Sequence, residues 1–152
     1  MMIDPYNDEY FMRQALLEAN KAAEKNEVPV GAIIACNNQI IARAHNLTEQ
    51  LTDVTAHAEI QAITAAAQYL GAKYLKSCTM YVTLEPCKMC AGALYWSQID
   101  KVVFGARDEE RGAGTVTPPL YHPTTLVVNG TLKEECKMIL KDFFKKKRRS
   151  II

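Results

Sequence analysis

The segment Met80-Tyr81-Val82-Thr83-Leu84-Glu85-Pro86-Cys87-Lys88-Met89-Cys90 carries the pattern on which the fold prediction depends. Its first five residues are largely apolar and predict a short buried strand. Pro86 is expected in the first turn of the helix that follows, because a proline there lacks only an N–H that has no helical partner. A buried strand that leads at once into a helix, here predicted to end near Ser97, is typical of α/β proteins.

The segments on both sides of this unit repeat the alternation of helix and strand. Apolar residues at helical spacing predict an amphipathic first helix between Asn7 and Lys25. A hairpin of two strands follows around the turn Asn37-Asn38, and a further strand comes after the segment quoted above. The predicted ranges are 29–35 and 39–44 for the hairpin, 45–55 for the polar loop after it, and 101–105 for the later strand.

Apolar residues also define the packing faces of the two remaining helices. The second helix opens near His57 and is predicted to bury a face made of Ile60, Ile63, Ala67 and Leu70. The final helix is marked by Leu132, Cys136, Ile139, Leu140 and Phe143. Residues 106–130 are rich in Gly, Pro and Thr, so we expect at most one strand there, near 125–128, within a substrate-facing loop.

The length and composition of the chain fit one domain with a substantial core. It has 152 residues, of which 49% are hydrophobic. We therefore predict a single domain over residues 1–152. Its alternating helices and strands predict a three-layer α/β/α sandwich around a central mixed five-stranded sheet.

Three residues in two short segments have the chemistry and spacing of zinc ligands. Cys87 and Cys90 lie three positions apart near the start of a predicted helix, where they are neighbours and the helix dipole stabilises their thiolates. His57, at the start of another helix, supplies a third ligand. Three protein ligands leave the fourth tetrahedral position to water, as in catalytic rather than structural zinc sites.

Glu59 is expected to handle protons rather than to bind the metal. It lies two positions from His57, and residues two apart on a helix do not share a face. A zinc ion lowers the pKa of a bound water from about 15.7 to about 7, and Glu59 would accept the proton that this water releases. A purely structural zinc site would need a fourth ligand instead, for which Cys78 is the best remaining candidate.

The cysteine count and the first residues favour a soluble cytoplasmic protein. Five cysteines are an odd number, and two of them form a C-x-x-C pair, so we expect reduced thiols rather than disulfides. The first residues include Asp4 and no apolar run, unlike a signal or transit peptide. The most apolar stretch, 29–36, is far shorter than the roughly 18 residues of a membrane span.

His57-Ala58-Glu59 followed by Pro86-Cys87-Lys88-Met89-Cys90 is the established signature of zinc nucleobase deaminases. The chain resembles the bacterial tRNA-specific adenosine deaminases of the cytidine deaminase-like superfamily. The likeness extends to Glu27-Val28-Pro29-Val30-Gly31-Ala32, Val103-Phe104-Gly105-Ala106-Arg107-Asp108 and Asp142-Phe143-Phe144. The zinc motif is common to the superfamily, whereas the longer matching sequence segments indicate the tRNA-specific branch.

The resemblance implies that the protein hydrolyses the wobble adenosine of a tRNA anticodon to inosine. It implies one zinc ion per subunit on His57, Cys87 and Cys90, with Glu59 as the proton shuttle. It also implies a homodimer whose partner subunit helps to shape the anticodon pocket.

Two further residues are assigned to substrate binding by the same resemblance. Asn46 stands where the family uses an asparagine to hold the purine, and Ala58 lies between the histidine and the glutamate of the motif. Without the resemblance, Asn46 would be interpreted as an ordinary loop-capping residue, because asparagine favours turns for local reasons.

The C-terminal segment is strongly basic. Lys133, Lys137, Lys141 and Lys145 recur every four residues on the final helix. Such a pattern is commonly a solvated helix face whose cations complement the helix dipole. Beside a deaminase site, we expect it to contact tRNA phosphates, and Phe144 to stack on a base or to pack. The predicted tRNA-binding residues are Phe144, Lys145, Lys146, Lys147, Arg148 and Arg149.

Two other functions are compatible with parts of the sequence. A guanine or other free nucleobase deaminase would use the same zinc chemistry, but it would need no basic tail. A structural zinc module that binds RNA would keep the tail, but it would have no use for Glu59.

Overall fold

The computed structural model describes residues 4–150. Four helices and five strands follow one another along the chain. They are α1 (Asp8–Glu24), β1 (Gly31–Cys36), β2 (Gln39–His45), α2 (Ala58–Leu70), β3 (Cys78–Leu84), α3 (Lys88–Ser97), β4 (Lys101–Ala106), β5 (Leu126–Asn129) and α4 (Lys133–Ser150). Each predicted helix and strand is present, within a few residues of its predicted bounds.

The five strands form one mixed sheet, as predicted. Its strand order is β2-β1-β3-β4-β5. Strand β1 runs antiparallel to both of its neighbours, whereas β3, β4 and β5 are parallel to one another. The start of β1 and the ends of β2, β3 and β4 therefore meet at one edge of the sheet, which we call the pocket edge.

Helices cover both faces of the sheet, which confirms the three-layer α/β/α sandwich. Alternate strand residues point to opposite faces. Ile34 and Val82 pack on one side with the buried alanines of α2. Ile33 and Val103 pack on the other side with α1 and with Cys136 of α4.

The buried face of α2 differs from the predicted one. Ala58, Ala62 and Ala66 are fully buried, whereas Leu70 is 37% exposed. Small side chains at these positions let the helix lie close to the sheet, where dense packing outweighs side-chain hydrophobicity. Of the predicted face, Ile63 and Ala67 pack partly buried against the core and Ile60 is half-buried. The prediction was wrong for Leu70.

The start of α3 also differs from the prediction. Cys87 is the N-cap residue, with extended backbone angles, so Pro86 precedes the cap instead of lying in the first turn. His57 caps α2 in the same way. Both caps lie at the pocket edge, so two helix N-termini point toward one region of the molecule.

Gly31 allows α1 to pack against the start of β1. A Cβ atom there would collide with the backbone of Ala15 and Ala19 on α1. The amide N–H of Gly31 donates a hydrogen bond to the Thr83 hydroxyl at 3.1 Å. This contact ties β1 to the end of β3 at the pocket edge.

No helix among residues 4–150 is both long and apolar enough to cross a membrane.

Candidate active site

Three potential metal ligands converge at the pocket edge. The Nδ1 atom of His57 lies 3.7 Å from the Sγ atom of Cys87 and 3.5 Å from that of Cys90. The three donor atoms all lie within 4.8 Å of one another. Two helix caps and the first turn of α3 thus bring together residues that are distant in the sequence.

The geometry of this cluster fits a zinc ion. Tetrahedral zinc with Zn–N of about 2.0–2.1 Å and Zn–S near 2.3 Å places nitrogen and sulfur ligands about 3.5–3.6 Å apart. The two N–S distances in the cluster, 3.5 and 3.7 Å, agree closely with that separation. One imidazole and two thiols are also the donor types that zinc prefers.

The two thiols differ in how readily they ionise. A hydrogen bond with Cys90 is the main reason that the pKa of Cys87 is lowered to about 4, and a contact with His57 adds to the effect against the opposing influence of burial. The same interaction with Cys87, together with burial, raises the pKa of Cys90. One sulfur is thus a thiolate before any metal binds, which is the form that zinc requires.

Glu59 is buried beside the ligand cluster. Its side chain is only 4% exposed, and it interacts with the Cys90 thiol. Burial raises the pKa of Glu59 to about 7. A carboxyl group with such a pKa can both accept and release a proton at neutral pH, as a general acid–base catalyst must.

Cys78 does not join the cluster. Within residues 4–150, the group of candidate metal ligands consists of His57, Cys87 and Cys90. Cys78 begins β3 at the opposite edge of the sheet, and its thiol donates to the carbonyl oxygen of Lys76 at 3.4 Å. A closed site with Cys78 as the fourth ligand is therefore inconsistent with the fold.

A cavity of about 270 Å³ opens above the cluster. Asn46, Ala58 and Glu59 line it together with His57 and Cys87. The cavity thus contains five residues that the sequence analysis assigned to metal binding, proton transfer or substrate binding.

The amide group of Asn46 is held in place by backbone contacts. Its Nδ2 atom donates to the carbonyl oxygen of Val28 at 3.3 Å, and its Oδ1 atom accepts from the N–H of Thr48 at 3.2 Å. A side-chain amide has two donor hydrogens and two acceptor lone pairs. One donor and one acceptor therefore remain for a ligand.

A larger groove continues from this cavity along α4. It has a volume of about 880 Å³ and shares Val28, Leu84, Asp108 and Arg111 with the cavity. Its basic lining residues are Arg107, Arg111, Lys133 and Lys137, and Phe144 lies at its wall with 42% of its surface exposed. Beyond it on the same helix, Lys145, Lys146, Lys147, Arg148 and Arg149 are all exposed.

Four charged residues that line or support the cavity were not predicted from the sequence: Glu27, Glu85, Asp108 and Arg111. Arg111 lines it directly, and Glu85 lines it although it is only 5% exposed. Glu27, which is fully buried, accepts hydrogen bonds from the loop after β2. Charged residues are usually exposed, and no local pattern marked Glu27 and Glu85 as buried exceptions.

The hydroxyl group of Tyr121 is also buried close to the site. Among the described residues, none forms a hydrogen bond with it. Burial, followed by the negative charges of Glu85 and Glu59, raises the pKa of Tyr121. The hydroxyl therefore stays protonated and remains a potential donor toward the site.

Comparison with known proteins assigns the chain to a family with a zinc site, in agreement with the cluster of His57, Cys87 and Cys90. Residues 5–106 match the sequence model of the cytidine and deoxycytidylate deaminase zinc-binding region. The chain belongs to this deaminase family. The matched region contains His57, Glu59, Cys87 and Cys90, and membership explains why these deaminase motif residues meet at one edge of the sheet.

Individual members of the deaminase family are similar over nearly the whole chain. The tRNA-specific adenosine deaminase of Bacillus subtilis (strain 168) is 48% identical, across 93% of this chain and 91% of its own length. That of Aquifex aeolicus (strain VF5) is also 48% identical, across 95% and 98%.

A solved structure from work on A-to-I editing by tRNA:A34 deaminases at the wobble position of transfer RNA superposes with a TM-score of 0.81. It is 41% identical and covers 86% of this chain and 99% of its own. The fold of this deaminase is thus the fold of that structure.

Proposed function

We propose that the protein is a zinc-dependent hydrolase that converts the wobble adenosine of a tRNA anticodon to inosine and ammonia. The observation that carries this proposal is the buried Glu59 carboxyl beside three zinc-type ligands in an open cavity. The tRNA-specific adenosine deaminases at 48% identity support the choice of substrate. One domain over residues 1–152 would carry the whole activity.

His57, Cys87 and Cys90 are the residues that would hold the metal. When bound, zinc supplies a nucleophile at neutral pH by lowering the pKa of a water molecule to about 7. With three protein ligands, the fourth coordination position is open for that water.

Glu59 is the residue that moves protons. Its carboxylate accepts a proton from the attacking water, delivers it to a ring nitrogen of the adenine, and then assists the departure of ammonia from C6. Glu59 lines the cavity and is 4% exposed, which places its carboxyl beside the substrate.

Asn46 and Ala58 are the proposed substrate-binding residues. The donor and acceptor left free on the Asn46 amide can pair with the edge of a purine. Ala58 lies between the metal ligand and the proton carrier and lines the same cavity, where its small side chain leaves room for the base.

The groove along α4 is the proposed path of the RNA. Arg111 and Lys137 would meet phosphates next to the cavity, and Phe144 offers an exposed ring for stacking. Acidic Asp108, Glu109 and Glu110 also line the groove. The cations beyond it would contact phosphates of the anticodon stem; they are Lys145, Lys146, Lys147, Arg148 and Arg149.

The proposal includes a homodimer. On helix α3, Trp96 is 76% exposed and Tyr95 is 38% exposed. The two rings pack edge to face, with their centroids 5.4 Å apart. Aromatic side chains are enriched at protein interfaces. Analytical ultracentrifugation of the wild type and of Trp96→Ala would test this, and a monomeric wild-type protein would exclude the dimer.

One experiment decides the substrate. The purified protein is incubated with an anticodon stem-loop that has adenosine at the wobble position and, separately, with free guanine, while ammonia and inosine are measured. We expect inosine and ammonia from the stem-loop and no ammonia from guanine. Release from guanine alone would replace the proposal with a free nucleobase deaminase.

A further inference from the structure

Two buried glutamates each bind a different loop beside the cavity. Glu27 has no exposed surface. Its Oε1 atom accepts from the N–H of Glu49 at 3.0 Å and its Oε2 atom from the N–H of Gln50 at 2.8 Å. Both donors belong to the loop that follows Asn46.

Glu85 binds the loop after β4 in the same way, by accepting hydrogen bonds from two of its N–H groups. It is 5% exposed, its Oε1 atom accepts from the N–H of Asp108 at 3.0 Å, and its Oε2 atom accepts from the N–H of Gly114 at 2.8 Å. The carbonyl of Pro86 adds a hydrogen bond from the N–H of Ala113 at 2.9 Å. This loop is therefore attached to the residues directly before the ligand Cys87.

Glycines in the second loop make room for the Glu85 carboxylate. A Cβ atom at Gly112 would collide with Oε1 of Glu85, and one at Gly114 would lie 2.7 Å from Oε2. The loop thus approaches the carboxylate more closely than other residues would allow.

Both carboxylates lie at the pocket edge. Glu27 precedes β1 and Glu85 follows β3, and these two strands pair in the sheet. The loop held by Glu27 contributes Asn46 and Thr48 to the cavity lining, and the loop held by Glu85 contributes Asp108 and Arg111. The two bound loops are therefore both walls of the same cavity.

We propose that Glu27 and Glu85 are positioning residues that fix the two loops lining the cavity, so that the cavity keeps the shape that admits the target base. This inference rests on the proposed function, because it names the residues that set the shape of that site. Hydrogen bonds from two N–H groups to one carboxylate are charge-assisted and stronger than neutral ones. Each loop therefore has two of its N–H groups held by one side chain.

The test replaces each glutamate with the isosteric amide, Glu27→Gln and Glu85→Gln. Glutamine keeps one acceptor oxygen and turns an NH₂ group toward the other N–H, so one of the two loop contacts is lost. Hydrogen–deuterium exchange then reports each wall separately. We expect about tenfold faster exchange at Glu49 and Gln50 in the first variant, and at Asp108 and Gly114 in the second.

Steady-state kinetics on the adenosine stem-loop provide the functional measurement. With the ligands and Glu59 intact, we expect zinc content to stay at one ion per chain and KM to rise about tenfold, with a smaller change in kcat. A purely structural role would lower the melting temperature without this separation of KM from kcat.

Asp8→Asn is the matched control. The Asp8 Oδ1 atom accepts from the Tyr81 hydroxyl at 3.0 Å and from Lys101 Nζ at 3.3 Å, at the sheet edge opposite the cavity. The same chemical change there should alter neither loop exchange nor KM. An equal effect on KM in this variant would overturn the inference.

Each remaining outcome also decides the matter. Unchanged exchange of a loop in its own variant overturns the inference, and so does equal loosening of both loops in either variant. If a variant does not fold, hydrogen–deuterium exchange of the wild type is the test. The four N–H groups that donate to Glu27 and Glu85 should then be protected, and rapid exchange at these groups would refute the role assigned to the two glutamates. If the wild type edits no RNA, the proposed function fails, while the exchange data still test the two carboxylates.

Discussion

The Nδ1 atom of His57 lies 3.5 Å from the Sγ atom of Cys90, although 33 positions separate the two residues in the chain. The ligand cluster therefore exists only when α2 and α3 are both docked on the sheet. A ligand that binds the folded state alone shifts the unfolding equilibrium toward that state.

Zinc removal is thus expected to lower stability as well as activity. At a free zinc concentration 100 times its Kd, binding contributes about 2.7 kcal/mol to the free energy of unfolding. Calorimetry with and without a chelator should show this loss, and added zinc should reverse it. The variant His57→Ala should melt at the same temperature in both conditions, and a zinc-dependent melting temperature in that variant would contradict the assigned ligand.

Glu59→Gln should separate metal binding from catalysis. The amide cannot accept a proton at neutral pH, so kcat should fall by a factor of about 10² to 10⁴, whereas elemental analysis should still find one zinc ion per chain. Turnover at the wild-type rate would exclude Glu59 as the proton carrier. Loss of zinc in this variant would instead make Glu59 part of the metal site.

Neutralising the tail should weaken RNA binding in a salt-dependent way. Changing residues 145–149 to glutamine removes five exposed cations but keeps helix-forming side chains. Each lost phosphate contact should reduce the slope of log K against log salt concentration by about 0.7. Filter binding at several salt concentrations measures this slope. Neutralising Lys73 and Lys76, before β3, is the control, and a tail variant with the wild-type slope would exclude the tail from binding.

Gly31→Ala should disrupt the packing of α1 on the sheet. The added Cβ atom would collide with the backbone of α1, and overpacking of this kind destabilises proteins by about 1–3 kcal/mol. Gly92→Ala on α3 is the matched control, because a Cβ atom there meets no atom within 4 Å. Urea denaturation should show a loss for the first variant and a slight gain for the second.

Glu18 should make stability depend on pH in the acid range. Burial opposes ionisation of this carboxyl, but hydrogen bonds from Lys21 at 2.7 Å and His45 at 3.2 Å outweigh burial and hold the pKa of Glu18 below its usual 4.5. A lowered pKa in the folded state stabilises the protein above the unfolded-state value, and this stabilisation is lost as the pH falls through the folded-state value.

The free-energy difference between the wild type and Glu18→Gln should follow that profile. We expect about 2 kcal/mol above pH 5.5, with a decline below pH 4.5. Urea denaturation at a series of pH values provides the measurement. A difference that stays constant down to acid pH would show that the carboxylate charge contributes nothing.

The sequence predicted the elements of the fold because their signals are local. Periodic apolar residues marked α1, and the turn at Asn37-Asn38 marked the hairpin. The buried face of α2 was predicted only in part. Ile63 and Ala67 pack against the core, but a hydrophobicity pattern ranks Ile60 above Ala62, although the close approach of the helix to the sheet selects the smaller residue.

The part of the site that lies in short sequence motifs could be predicted. His57, Glu59, Cys87 and Cys90 follow from residue type and spacing. Glu27 and Glu85 could not be found, since their role depends on N–H groups more than 20 positions away in the chain. No local pattern distinguishes such a glutamate from one in solvent.

The hairpin between β1 and β2 turns at Asn37 and Asn38, which both have positive φ angles. This turn lies at the far end of β1 from the cavity, because β1 starts at the pocket edge. Exposed loop tips are the positions where inserted segments are best tolerated. A fluorescent reporter or a tether for surface immobilisation could therefore be inserted at this turn. Helix α4 would then carry no added segment.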